Sequence, residues 1–230
     1  MAFLFYKLSR YLIVIFSLFT LVQWGLRYKS YTISPKQFKA ISANVKGLTP
    51  NAASAKVISD LFNAYGGSID AKNSWIPVTL GSLDLGVYFL HSSVTEYAAL
   101  IHSSPAQSGR VGFHWSNSTC TVIAGSVSRL NEELNDLEKK ETFATGQNFR
   151  HGQFESHVYS FGADTVVSCY GRGLIPASYP FIALKSIANG EPLSLFRLTQ
   201  YYTTQSAQNL LHNAVGFFQK YKNKVSSGEL

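Results

Sequence analysis

The longest apolar stretch of the chain lies near its N-terminus. Residues 11–26 include no charged side chain, and Arg10 and Arg27 lie at the two ends of the stretch. These sixteen residues are fewer than the roughly 20 that a helix needs to cross a bilayer. Residues 2–6 are also apolar, however, and the flanking basic side chains can extend to the headgroups. We predict a membrane anchor over residues 1–30, with a cleaved signal peptide as the alternative.

The hydrophobic pattern changes twice after this stretch. Residues 35–65 have helical periodicity, which Gly66 and Gly67 end. Residues 74–176 consist of short runs rich in β-branched and aromatic side chains, separated by Gly, Ser and Asn. Such runs are typical of antiparallel strands, and we predict a sheet that closes into a barrel or a sandwich. Residues 177–222 return to the helical period and predict a pair of helices.

Polar positions add detail to this pattern. Residues 129–141 are rich in charge and interrupt the strand pattern, as a surface helix or loop would. The C-terminal helix pair has a single acid, Glu191, beside an apolar stripe. Such a pair can lie on a membrane surface, cover the barrel, or do both. The predicted fold class is therefore mainly β with helices, with the anchor followed by one domain over residues 31–230.

Composition excludes several classes of function. Charged residues make up 14% of the chain, and three of its seven net positive charges lie in the first 27 residues. No block of Lys and Arg alternates with aromatic residues, so we expect no nucleic-acid partner. The sequence has no phosphate-binding glycine loop, no HExxH and no GxSxG, and its six histidines are scattered. We therefore expect neither a metal nor a cofactor, while two cysteines still allow one disulfide.

Three stretches together resemble the family of the sigma-1 receptor and the fungal C-8 sterol isomerases. They are HSSVTEY at residues 91–97, TVIAG at 121–125 and YGRGLIP at 170–176, and the similarity extends over about residues 36–222. The resemblance implies a cupin-like antiparallel β-barrel around an apolar cavity, with an apolar small molecule or lipid as its ligand. It also implies single-pass attachment to the endoplasmic reticulum membrane and, by extension, a homotrimer.

The resemblance also marks a departure from the family. Its members carry two carboxylic acids that face each other inside the barrel, where they move a proton in the isomerases and hold a cationic amine in the receptor. The corresponding positions here are Cys120 and Cys169. The resemblance thus implies a disulfide and a barrel in the oxidising lumen, with two unrelated buried cysteines as the alternative. Because both acids are missing, we expect no sterol Δ8–Δ7 isomerisation by the family mechanism.

Strand alternation and the resemblance together indicate which residues line the cavity. Tyr97, His114 and His151 are the candidate catalytic residues, because a buried His–Tyr set can act as acid and base near neutral pH. The alternative is that the histidines only make hydrogen bonds within the core. Glu96 is expected outside the cavity. The candidate substrate-binding residues are Leu83, Val87, Ser118, Phe161, Thr165, Tyr179 and Ile182.

Two functions from different classes fit this cavity. The first is an isomerase or cyclase that acts by proton transfer on a terpenoid or sterol-like lipid. The second is a non-catalytic lipid-binding or receptor-like protein, which the loss of both acids would also produce. A third interpretation, thiol chemistry at Cys120 or Cys169, requires an acidified thiolate, and the sequence shows no cation beside either cysteine.

Overall fold

The computed structural model describes residues 2–29, 31–45, 47–130 and 140–226, and its contacts divide the chain into two compact units. The first unit, Met1–Thr32, contains helix α1 (Ala2–Tyr28). Within α1, the 22 residues Tyr6–Arg27 are long and apolar enough to cross a membrane. The helix thus extends past the uncharged stretch at both ends. A signal sequence would form a similar helix, so the uncleaved anchor stays a prediction.

The second unit, Ile33–Leu230, begins with two helices, α2 (Pro35–Ala43) and α3 (Pro50–Tyr65). Both start with a proline at the first helical turn, where its fixed φ is favourable and its missing N–H is not needed. Helix α3 ends at Gly66, whose φ of 55° favours glycine. The predicted helical region thus consists of two helices with a connection between them.

Ten strands follow in the described part of the chain, and they form two antiparallel sheets. The six-stranded sheet has the order β1-β2-β3-β10-β5-β8, and the four-stranded sheet has the order β4-β9-β6-β7. The strand bounds are β1 Ile76–Leu80, β2 Leu83–Ser92, β3 Glu96–Ser103, β4 Gln107–Val111, β5 Ser116–Ala124, β6 Ser126–Leu130, β7 Lys140–Ala144, β8 Asn148–His151, β9 His157–Phe161 and β10 Thr165–Gly173.

The two faces of the six-stranded sheet pack against different partners. Side chains such as Leu90, Leu100 and Ile123 face α2 and α3, where they bury Phe38 and Leu61. The opposite face packs against the four-stranded sheet and, at strands β1–β3, against the C-terminal helices. The interior is therefore enclosed by two sheets rather than by one continuous ladder of strands. The predicted fold class, mainly β with helices, is confirmed. The strands form two sheets, however, and not the single closed barrel that was expected.

The charged segment 129–141 differs from its sequence interpretation at both ends. Arg129 and Leu130 belong to β6, and Lys140 and Glu141 belong to β7, so these residues pair as strands rather than form a surface helix or loop. Cross-strand attraction between Arg129 and Glu141 explains why charged residues are accepted in this pair of strands. The residues between them, 131–139, lie outside the described residues.

The C-terminal part forms the expected pair of helices, α4 (Tyr179–Ala188) and α5 (Pro192–Ser226). Leu198 of α5 is buried against the six-stranded sheet. Several large apolar side chains on the two helices are exposed: Leu184, Ile187, Leu193, Phe196, Leu210, Leu211 and Val215. Exposed apolar side chains of this kind are typical of helices at a membrane surface, which stays a prediction for this pair.

Candidate functional site

An apolar chamber of about 90 Å³ lies between the two sheets. We call it the inner chamber. Leu83 and Phe161 are among its apolar lining residues, one from each sheet. Five polar side chains also reach its wall: Tyr97, His114, Ser118, His151 and Tyr159.

A second chamber, the outer chamber, has a volume of about 120 Å³ and lies between strands β1–β3 and the C-terminal helices. Val87 lines it from the sheet, and Tyr179, Ile182 and Leu198 line it from α4 and α5. Both chambers share four lining residues, which we call the neck: Leu80, Tyr97, Ile101 and His114. Two polar side chains, Tyr97 and His114, therefore border both chambers.

Tyr97 is held at the neck by the register of three strands. Tyr97 of β3 and Ser118 of β5 both lie opposite Gly171 of β10. The tyrosine ring crosses the bare glycine backbone, and its hydroxyl and Ser118 Oγ are hydrogen-bonded at 2.8 Å. Burial raises the pKa of Tyr97, while the Ser118 hydrogen bond opposes this shift. The phenol therefore keeps its proton at neutral pH and can donate a hydrogen bond.

We expect Gly171→Ala to displace the Tyr97 ring and lower stability by about 1–3 kcal/mol. A methyl group at this position would lie 2.8 Å from Tyr97 Cζ and 2.9 Å from Ser118 Oγ. Thermal unfolding of the detergent-purified protein measures the effect. Gly67→Ala is the matched control, because its added methyl group meets no atom within 4 Å. Equal melting temperatures for the two variants would contradict the role assigned to Gly171.

The two candidate histidines meet at the inner chamber. The His114 and His151 rings are 5.4 Å apart, centroid to centroid, in an edge-on arrangement. Burial lowers the pKa of His114 to about 4. Burial, and next the positive charge that His114 would carry, lower the pKa of His151 to about 4. Both imidazoles are therefore uncharged at neutral pH. Each ring then has one nitrogen that accepts a hydrogen bond and one N–H that donates a hydrogen bond.

His114 does not lie on a strand, so strand alternation does not explain why its side chain faces the chambers. It lies in the connection between β4 and β5 and reaches both chambers from there. His151 ends β8 directly opposite Ser118 of β5. Strand alternation therefore correctly predicts that Ser118 faces inward. The inward position of His114 depends instead on the shape of the connection between β4 and β5.

The inner chamber wall includes a disulfide between Cys120 and Cys169. The two cysteines lie directly opposite each other on β5 and β10, and their Cα atoms are 4.1 Å apart. This is the pairing that the resemblance implied. A disulfide carries no ionisable proton, so the wall has no acid at either position.

No carboxylate among the described residues lines either chamber. Glu96 is buried, but it accepts hydrogen bonds from the Tyr170 hydroxyl at 2.9 Å and the Ile33 backbone N–H at 3.4 Å. It therefore joins the N-terminal end of the second unit to β10, outside the chambers as expected. In the same described part of the chain, no group of His, Cys, Asp and Glu residues is arranged to hold a metal ion.

The structure brings almost all of the predicted site residues to the two chambers. Leu83, Ser118, Phe161 and His151 line the inner chamber; Val87, Tyr179 and Ile182 line the outer chamber; Tyr97 and His114 line both. Thr165 lies elsewhere. Its buried hydroxyl lies within hydrogen-bond distance of the backbone oxygens of Ser126 and Gly162, at 3.2 and 2.9 Å. These contacts stabilise the turn before β10 and keep the hydroxyl away from the chambers.

Tyr159 is a chamber residue that the sequence reasoning did not select. It lies on β9, and its hydroxyl is 3.2 Å from His151 Nδ1. The signal was present, because the alternation that places Phe161 inward also places Tyr159 inward. Leu80 and Ile101 of the neck were likewise not selected, since nothing in their local sequence distinguishes them from other strand residues.

The fold and site define a β protein that encloses apolar chambers around a disulfide and uncharged polar groups. The chain belongs to the family described as ERG2 and Sigma1 receptor like protein, whose model matches residues 9–214. It is 27% identical to the sigma non-opioid intracellular receptor 1 of Xenopus tropicalis, over 80% of this chain and 81% of that protein. The Gallus gallus protein of the same name is 26% identical, with 87% and 90% covered.

The solved structures that match part of this chain include an RmlC-like cupin from Shewanella frigidimarina. That protein superposes on this chain with a TM-score of 0.37 at 14% sequence identity, over 46% of this chain and 88% of the cupin. KdgF from Halomonas sp. superposes with a TM-score of 0.35 at 13% identity, over 45% and 90% of the two chains.

Proposed function

We propose that this protein binds an apolar terpenoid or sterol-like molecule across its two chambers and converts it by proton transfer, as an isomerase or cyclase. The observation that carries the proposal is the set of uncharged polar groups, Tyr97, His114 and His151, at the neck and inner chamber within otherwise apolar walls. Apolar walls with a few polar groups are typical of small-molecule sites.

The protonation states indicate what kind of proton transfer these groups support. Imidazoles with a pKa of about 4 are uncharged at neutral pH, so each has one nitrogen that can accept a proton and one N–H that can donate a hydrogen bond. Tyr97 keeps its proton and can stabilise a developing negative charge by hydrogen bonding. This set suits removal of a proton next to a carbonyl or a similar polarised group. It does not suit protonation of an unactivated alkene, for which the family uses its carboxylic acids.

The proposal also includes the location of the protein. We expect a single-pass protein of the endoplasmic reticulum membrane with the two-sheet domain in the lumen. The disulfide between Cys120 and Cys169 supports the lumen, because such bonds persist in oxidising compartments. Helix α1 supports the anchor, and the exposed apolar side chains of α4 and α5 support contact of these helices with lipid. A homotrimer stays part of the expectation.

The test compares the lipids of cells that produce the wild-type protein with those of cells that produce variants. We expect His114→Gln and His151→Gln to abolish the wild-type product and raise its precursor, because glutamine keeps a polar side chain but lacks the imidazole ring. Tyr97→Phe should lower product formation by about 10²-fold. Tyr65→Phe is the control, since the Tyr65 hydroxyl binds Gln37 on α2, away from both chambers. Product formation that survives all three changes would contradict the proposal.

A second function, lipid binding without catalysis, is favoured by one observation. Both positions that carry the family's acids are joined in a disulfide, so no carboxyl group remains there to transfer a proton. In this case a lipid that copurifies with the protein should be chemically identical to the lipid supplied. Mass spectrometry of the bound lipid before and after prolonged incubation distinguishes the two functions.

A further inference from the structure

Tyr159 belongs to a row of polar side chains that crosses the four-stranded sheet. It lies directly opposite Arg129 of β6, which in turn lies opposite Glu141 of β7. Arg129 Nε donates to Glu141 Oε2 at 3.1 Å, and Arg129 also donates to the Arg150 backbone oxygen at 2.7 Å. These bonds fix the guanidinium on the strand next to Tyr159, where its positive charge opposes the rise in the Tyr159 pKa.

This arrangement fixes the direction of the hydrogen bond between Tyr159 and His151. A guanidinium has only donors, so the Tyr159 hydroxyl cannot give its proton to Arg129. Burial raises the pKa of Tyr159 to about 12, so the phenol keeps its proton at neutral pH. Within the described residues, the acceptor for this proton is His151 Nδ1, 3.2 Å away. Nδ1 is therefore the unprotonated ring nitrogen.

The protonation of Nδ1 determines that of Nε2, the other ring nitrogen of His151. A neutral imidazole with an unprotonated Nδ1 carries its proton on Nε2. His151 lines the inner chamber, and its Nε2 is buried without a hydrogen-bond partner in the described part of the chain. The ring centroids of His114 and His157 lie 5.4 and 5.6 Å from that of His151. The nearby Glu155 carboxylate accepts its hydrogen bonds from His157 and the Gly152 backbone N–H, and not from His151. A buried N–H of this kind needs an acceptor.

We infer that Arg129 and Tyr159 hold His151 as an Nε2–H donor for an oxygen atom of the ligand. The inner chamber thereby selects neutral apolar molecules that carry an acceptor oxygen, such as a ketone, an epoxide or an ether. This inference rests on the proposed function for the nature of the ligand, and it gives the residues distinct roles. Tyr159 and Arg129 are positioning residues, His151 binds the ligand oxygen, and His114 remains to accept a proton.

The first test reads the tautomer directly in the full-length protein. Histidine labelled with ¹⁵N is incorporated, the protein is placed in lipid nanodiscs at pH 7.5, and the His151 signals are assigned with His151→Gln. We expect an unprotonated Nδ1 and a protonated Nε2 in the wild type. Tyr159→Phe should give a mixture of both tautomers, because the donor to Nδ1 is gone. A wild-type His151 with its proton on Nδ1 would overturn the inference.

The second test measures the selectivity with a matched pair of probes. Nootkatone and valencene are bicyclic C15 molecules that differ by one carbonyl group, and ligand retained by the protein is measured against empty nanodiscs. We expect nootkatone to bind about ten-fold more tightly. Tyr159→Phe and Arg129→Gln should each reduce this preference about five-fold, whereas Tyr65→Phe should leave it unchanged. Equal binding of the two probes to the wild type would overturn the inference.

The two tests also separate this inference from the proposed function. Neither the tautomer nor the probe preference requires turnover, so the absence of any lipid product would contradict the proposed catalysis alone. The wild-type measurements by themselves decide the inference, even where Tyr159→Phe or Arg129→Gln does not fold.

Discussion

Replacing both cysteines, as Cys120→Ala/Cys169→Ala, is expected to lower the free energy of unfolding by about 4 kcal/mol. The bridge joins residues 49 positions apart, and a link over such a distance removes much of the conformational entropy of the unfolded chain. For a domain of this size the change corresponds to a fall in melting temperature of about 10 °C. Tryptophan fluorescence during heating of the detergent-purified protein measures it.

A single substitution, Cys120→Ala, distinguishes the constraint from the packing of the sulfur atoms. It breaks the bridge as completely as the double change but removes only one of the two sulfurs from the inner chamber wall. If the constraint dominates, the single and double variants melt at the same temperature. If packing dominates, the single variant melts about halfway between the wild type and the double variant. A double variant within about 2 °C of the wild type would contradict the prediction.

Acidification is expected to destabilise the protein between pH 6.5 and pH 4. The pKa values of His114 and His151 are about 4 in the folded protein and 6.5 in the unfolded chain. Well above pH 6.5 neither state binds a proton at these rings, and the stability from this source is complete. As the pH falls toward 4, the unfolded chain takes up protons that the folded protein does not. The loss is about 3 kcal/mol for each histidine.

Melting temperatures measured at pH 7.5, 6.5, 5.5 and 4.5 test this expectation. The double variant His114→Gln/His151→Gln provides the comparison, because it removes both titrating rings while keeping polar side chains. Its melting temperature should change little between pH 6.5 and 4.5, whereas that of the wild type should fall steeply. Parallel curves for the two proteins would show that other groups cause the acid sensitivity. The Glu155 pKa is lowered, chiefly by its hydrogen bond from the Gly152 backbone, so its contribution is lost at lower pH.

Local patterns along the chain predicted much of the architecture because each has a local physical cause. Proline at the first turn of α2 and α3 and glycine after α3 fix the helix ends through backbone dihedrals. Alternation along β5 predicted that Ser118 faces inward, and Ser118 does line the inner chamber. The resemblance to the family likewise implied the bridge between Cys120 and Cys169, and the structure contains this bridge.

Other features could not be predicted because they depend on contacts between distant segments. The pattern of strands did not distinguish a continuous barrel from two sheets, since alternation is the same in both. Thr165 has the inward parity of its strand, yet the turn beside it satisfies its hydroxyl and keeps it from the chamber. Tyr159 has the same parity as Phe161, but its role depends on Arg129 from another strand.

The sequence by itself determined the fold class, the membrane-length apolar helix, the family and the presence of cysteines at positions 120 and 169, because each depends on residue type and spacing. The tertiary structure decided where the remaining polar groups lie. It placed Tyr97 over Gly171, gave His114 access to both chambers and set Tyr159 between Arg129 and His151. These relations shift the pKa values of the polar groups, because such shifts arise only where distant strands bring charges and dipoles together away from water.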